Sequence, residues 1–227
     1  MLPGPVPIGQ ALRSAFVSGT LYPHIWLTAQ ATLAGFAIGC SGGFLLGAVT
    51  AELRWLDRAV SPVVFAMQSV PKIALAPLIV AYAGIGTGSK VATAAVLAFF
   101  PLFLNTATGL KNVEAAVLML YRAYSCGRMR MFWEARLPSA GGFIFSGLQV
   151  AFVLALLGCI VSEFIASEGG LGFILKQRMG QLDVAMMFVA IAVLALVGMA
   201  GSTLIFMLQK RVLLCEAGLR LGGTEAA

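Results

Sequence analysis

The chain has 227 residues, of which 60% are hydrophobic and 11% charged, and its mean hydropathy is +0.96. Soluble domains carry roughly 45–50% apolar and roughly 25% charged residues, so a soluble globular protein is excluded and an integral membrane protein is indicated. The formal net charge of +6 would suggest nucleic acid in a soluble chain, but the basic residues cluster in short loops beside apolar runs, where they orient a chain in the bilayer; nucleic-acid binding is not expected.

The N-terminal stretch Met1–Ser18 contains Pro3, Pro5 and Pro7 and has neither a basic n-region nor a continuous apolar h-region, so no signal peptide is read there. Residues 1–26 are expected to form an extracytoplasmic or interfacial segment. Five spans follow, each near the roughly 20 apolar residues that a helix needs to cross the hydrocarbon core: Leu27–Thr50, Ala59–Gly84, Lys90–Leu110, Gly141–Ile165 and Asp183–Gln209. The fold class is therefore all-α, with about five transmembrane helices.

Gly35, Gly39, Gly43 and Gly47 form a four-residue repeat on one face of the first span. Small residues at this spacing let a neighbouring helix backbone approach closely. The second span holds Pro62, Pro71 and Pro77, so one straight helix is not expected. Broken backbone at membrane depth needs a covering of protein or a water-filled cavity, which places Ser69 and Lys72 in the bundle interior or near a pathway. Gly84, Gly86 and Gly88 make a turn before the third span, where Pro101 marks a kink and Asn105 a polar spot.

Between the third and fourth spans lies the one long polar-rich segment, Lys111–Pro138, with five basic residues against Glu114 and Glu134. Val117, Leu120, Tyr121 and Tyr124 fall at helical spacing in it, as in a surface helix that a soluble partner grips. The fourth span ends near Glu163, the glycine-rich segment Ala166–Phe173 follows, and Asp183 opens the last span. The loop side with Lys111–Pro138 and the C-terminus collects ten Lys and Arg residues and the other side four, so that loop and the tail 212–227 are expected in the cytoplasm.

No catalytic constellation is present: there is one histidine, His24, with no HExxH, GxSxG, Walker loop or dinucleotide fingerprint. The cysteines Cys40, Cys126, Cys159 and Cys215 form no CxxC and no metal-ligand spacing. No enzyme activity and no metal are expected. Charged and polar groups at membrane depth are the pathway candidates, namely Lys72 and Glu163 with Ser69, Asn105 and Gln149.

The phrases WLTAQATLAGFAIG, SVPKIALAPLIVAYAGIGTGSK, FFPLFLNT, RLPSAGGFIFSGLQVA, SEFIASEGGLGF and GQLD, spread from about Leu27 to Arg211, resemble the permease subunits of bacterial ABC importers. The branch is the binding-protein-dependent type-1 class that includes nitrate, sulfonate, taurine and thiamine-precursor permeases. This resemblance makes 27–211 the transmembrane domain of an inner-membrane protein. It implies a homodimer, two cytoplasmic ATPase subunits that bind the ATP, and an extracytoplasmic solute-binding protein; no cofactor is expected on this subunit.

In that family a cytoplasmic loop carries a Glu-Ala-Ala motif, a downstream glycine and a Leu-Pro, and docks into the ATPase. Register fixed at Leu137-Pro138 puts Glu-Ala-Ala on Met119, Leu120 and Tyr121 and the glycine on Ser125; Glu114-Ala115-Ala116 lies five residues too early. The implied coupling residues are Tyr121, Arg122, Ala123, Tyr124, Ser125, Gly127, Arg128, Phe132 and Pro138, with Gly127 expected to supply the turn. Family members usually have six spans, the first preceding a Pro-rich segment like LPGPVPIGQAL, so either a misplaced start or a true absence is implied, and a misplaced start is preferred. The rival reading is an ATP-independent secondary transporter or channel subunit, which would predict inverted repeats that are not evident.

Overall fold

The computed structural model describes residues 4–222, with side chains through residue 212. Among these residues the regular secondary structure is all helical, and four helices are long and apolar enough to cross a membrane, or five if one bent pair counts as a span. The helices are α1 (Pro5–Val17), α2 (Leu21–Glu52), α3 (Arg54–Gln68), α4 (Ala76–Ala83), α5 (Thr87–Lys111), α6 (Ala115–Ala123), α7 (Arg128–Met131), α8 (Leu137–Ile165), α9 (Leu171–Gly180) and α10 (Val184–Gly222).

α1 lies in the stretch expected to be an extracytoplasmic or interfacial segment. Pro5 and Pro7 sit in its first turn, where the missing N–H groups have no intrahelical partner to lose. Its thirteen residues do not span a bilayer; Ala15, with Ile8 and Ala11, packs on a cluster that includes Leu21, Leu171, Val189 and Ala190. Of the tail 212–227, the backbone through Gly222 continues α10, while residues 223–227 and the side chains of Cys215 and Arg220 lie outside the described residues.

The second expected span is broken as its prolines require. α3 stops at Ser69, Pro71 is extended, Lys72–Leu75 form a single 3-10 turn, and α4 starts with Pro77 in its first turn. The segments Arg54–Gln68 and Lys72–Ala83 meet at 91°. Gly84 ends α4 at φ +79°, a conformation that glycine adopts without a Cβ penalty.

α5 is the central helix, held between α2 on one side and α8 on the other. Gly35, Gly39, Gly43 and Gly47 are buried along α5, where Cβ atoms would meet backbone: Phe99 O at 2.6 Å from Gly43 and Phe103 O at 2.8 Å from Gly47. On the other side Gly147 lies over Asn105 and Gly158 over the Thr93 carbonyl. Close backbone approach, rather than large interlocking side chains, thus unites the three long helices.

α7, the π-helical turn Phe132–Arg136 and α8 run on as one helix, Arg128–Ile165. Its 38 residues extend about 57 Å at 1.5 Å per residue, well beyond a hydrocarbon core of about 30 Å. The excess projects from the end of the bundle that carries α6. There, Lys111 pairs with Asp57 and Arg136 with Glu52, each at 2.5 Å, tying α5 to α3 and the π-helical turn to α2.

Candidate functional site

Two polar constructions stand at opposite ends of the bundle. The first is the hairpin from α6 to α8. α6 ends in a Schellman motif: Cys126 N–H donates to the Tyr121 carbonyl (3.0 Å) and Ser125 N–H to the Arg122 carbonyl (2.9 Å). The residue with the left-handed backbone is Ser125, at φ +51°. Gly127, expected to make the turn, is extended instead (φ −64°, ψ 155°) and serves as the residue before α7. Register from Leu137-Pro138 had placed the family glycine on Ser125, and the turn follows that register, not the nearby glycine.

A concrete expectation follows from that difference. Ser125→Gly relieves a left-handed non-glycine residue and should stabilise the hairpin by about 1 kcal/mol, whereas Ser125→Val should destabilise it. Gly127→Val should change little, because the backbone is ordinary and a Cβ there meets nothing within 4 Å. Thermal unfolding of the three purified variants in detergent measures this, and equal losses from both valines would refute the assignment.

Arg130 pairs with Glu134 one turn along the same helix at 2.9 Å, and across the hairpin the Tyr121 hydroxyl reaches the Glu134 carbonyl at 3.4 Å. Pro138 lies inside the continuous helix Arg128–Ile165, two residues after the π-helical turn Phe132–Arg136, where the regular i→i−4 ladder is already interrupted. Arg122, Ala123, Ser125 and Arg128 are exposed, and Phe132 is half-buried. Apolar side chains remain uncovered here, among them Met119, Leu120, Tyr124 (76% exposed), Met129 and Trp133.

The second construction is a buried knot that joins α2, α5, α8 and α9. Glu163 is 0% exposed and Lys90 4%. The Glu163 carboxylate accepts from the Thr28 hydroxyl (2.9 and 3.0 Å to its two oxygens), the Gly172 N–H (2.8 Å) and Lys90 Nζ (3.4 Å). Lys90 Nζ also donates to the Gly169 carbonyl at 2.5 Å, Leu171 N–H to Thr28 Oγ1 at 2.8 Å, and Gly170 N–H to His24 Nδ1 at 3.0 Å. A charged pair taken out of water is tolerated only when further hydrogen bonds support it; here the carboxylate is met by Thr28, Gly172 and Lys90, and the ammonium by Glu163 and Gly169. Gly170 is fixed by the same geometry: its φ is +120° and a Cβ would overlap the carboxylate.

In the sequence Glu163 stands out as a pathway candidate, whereas Lys90 reads only as the head of the third span and nothing marks His24 or Thr28 as its partners. The available signal was the glycine run 169, 170 and 172 shortly after Glu163, since such a run lets backbone N–H groups close on a carboxylate. The five pathway candidates are not gathered in one place. Ser69 is exposed at the α3–α4 elbow, and Lys72 Nζ lies 4.8 Å from the centre of the Phe100 ring. Asn105 donates to the Pro101 carbonyl within α5 (2.8 Å), and Gln149 donates to Gln209 across α8 and α10 (2.9 Å). Among the described residues no group of three or more His, Cys, Asp or Glu side chains could hold a metal.

Residues 43–213 match the family described as binding-protein-dependent transport system inner membrane component. The chain is similar to the riboflavin transport system permease protein RibX of Chloroflexus aurantiacus, with 32% identity over 96% of this chain and 81% of the relative. It is 33% identical to the formylaminopyrimidine transport permease protein ThiX of Halalkalibacterium halodurans, over 94% of this chain and 85% of that one. The putative aliphatic sulfonates transport permease protein SsuC of Escherichia coli is 29% identical over 87% and 75%. Among solved structures, a chain of the MetNI methionine ABC transporter superposes with a TM-score of 0.71 at 20% identity, over 86% of this chain and 95% of that one, which shows a common fold. With its apolar helices, two-ended bundle and helical hairpin, the chain belongs to the family of inner-membrane components of binding-protein-dependent transport systems and is a permease subunit of an ABC importer.

Proposed function

We propose that the hairpin from α6 to α8 is the surface on which a cytoplasmic ATPase docks, and that two copies of the chain form the pathway between them. The observation that carries this reading is the set of exposed apolar side chains, Met119, Leu120, Tyr124, Met129 and Trp133, on a segment that leaves the bundle. A solvated loop gains nothing from exposing them, whereas a partner surface covers them. The hairpin joins the end of α5 to the start of α8, so a displacement of α6 reaches both helices that pack at the centre. Rigid-body rocking of the bundle is the expected response. In this reading ATP is bound by the partner subunits, and the hairpin and C-terminus face the cytoplasm, as the distribution of lysine and arginine favours.

The delivered solute is proposed to be a nitrogen heterocycle of the vitamin or vitamin-precursor kind. Its support is the pair of relatives at 32–33% identity, which are named for riboflavin and formylaminopyrimidine transport. A small sulfonate is the second reading, supported by the SsuC relatives.

The decisive variant is Tyr121→Asp combined with Tyr124→Asp, which removes apolar contact and adds charge on one face of the hairpin. The variant should insert normally, lose co-purification with the ATPase and lose ATP-dependent uptake by at least about tenfold, equivalent to about 1.4 kcal/mol of docking energy. Retained co-purification and uptake would sink the docking assignment and return the ATP-independent transporter as the better reading.

A further inference from the structure

Beside the hairpin the end of α2, the start of α3 and α7 enclose a cleft of about 920 Å³. Its lining includes Arg54, Arg58, Arg122, Arg128 and Arg136, with Glu52 as the one carboxylate. Glu52 is already paired with Arg136, and among the described residues the other four arginines have no carboxylate within ion-pair distance. The Nε of Arg136 is buried with no hydrogen-bond acceptor. Five guanidinium groups around one cleft, four of them uncompensated, call for an anion with several acceptor oxygens.

A second groove, of about 320 Å³, shares Glu52, Leu53 and Arg128 with the cleft and continues along Ala48, Val49, Met129 and Phe132. Its polar lining is minimal, and Ala48 and Val49 belong to the last turns of the membrane-spanning α2. Trp55 stands 68% exposed at the rim, a residue type enriched where hydrocarbon meets headgroups. A cluster of arginines that opens into an apolar groove beside the last turns of α2 matches one chemistry, a phosphate ester bearing an acyl chain.

We propose that this composite site holds an anionic phospholipid, with its phosphate among the arginines and one acyl chain along Val49 and Phe132. The inference rests on insertion of α2 in a bilayer, and does not depend on docking of the ATPase or on the orientation of the chain. Basic pockets between membrane helices take anionic headgroups by this chemistry.

Native mass spectrometry of the purified chain tests it, with dioleoyl phosphatidylglycerol, dioleoyl phosphatidylcholine and inorganic phosphate as the probes. Phosphatidylglycerol should be retained at least about tenfold more tightly than phosphatidylcholine. Arg54→Gln with Arg58→Gln should weaken retention by about thirtyfold, since each arginine near anionic lipid contributes on the order of one kcal/mol. Val49→Trp, which fills the groove and leaves the arginines, should also lower it. Arg54→Lys with Arg58→Lys should keep most of the retention, and it separates lost charge from lost folding. Equal retention of the two lipids would overturn the proposal. So would displacement of phosphatidylglycerol by millimolar phosphate, which would make this a free-anion site, or by the ATPase, which would make the cleft part of the protein interface.

Discussion

Lys90→Met is expected to destabilise the protein by about 3–5 kcal/mol, the range found when one partner of a buried ion pair is removed. Methionine is unbranched and one atom shorter than lysine, so it keeps most of the apolar stem and packing along α5 is largely preserved. What is lost is the cation beside Glu163, whose carboxylate is 0% exposed, and the donor to the Gly169 carbonyl. Glu163→Gln should also destabilise, because a buried ammonium then lacks its counter-charge. The double variant should be less damaged than the sum of the two, since replacing both charges removes the desolvation penalty along with the attraction. Midpoints of thermal unfolding in detergent give the cycle. Additive losses would show that the two groups do not act as a pair.

The double substitution Gly39→Leu, Gly43→Leu should abolish most of the folded yield. Overpacking a well-packed site typically costs about 1–3 kcal/mol per residue, and here the leucines would be driven into carbonyl groups of α5, at Ala95 and Phe99, which no rotamer change can move. Gly42→Leu is the control: its Cβ meets only the Phe99 ring, at 3.6 Å, so expression should be near normal. Recovery of monodisperse protein by gel filtration reads the difference. Similar yields for the ridge variant and the control would mean that α2 and α5 do not touch as closely as described.

Much of this architecture is legible in the residues themselves. Long apolar runs set the spans, Pro71 and Pro77 announced the 91° elbow, and the four-residue glycine repeat marked the face that meets α5. α1 was not legible, because three prolines in seven residues read as a helix breaker when two of them occupy a first turn that tolerates them. The turn at Ser125 was hidden for a related reason. Local composition points to Gly127, and only the hydrogen bonds that close α6 select a serine for the left-handed position. The knot was the least accessible, since a lysine at the head of a span looks like an orienting loop charge until the helix carrying Glu163 is folded against it. Pattern reading along a chain resolves neighbours a few residues apart, whereas this pair is separated by 73 positions.

That separation has a consequence for biosynthesis. Lys90 enters the membrane well before its carboxylate has been made, and until α8 arrives its long side chain can only stretch toward the aqueous surface. A chain halted before Glu163 therefore presents an uncompensated ammonium at the rim of α5. The carboxylate offers the buried ammonium its counter-charge, and the same carboxylate takes the Gly172 N–H at the start of α9. Closure of the knot thus needs both halves of the chain, and a truncated subunit has no means of burying Lys90.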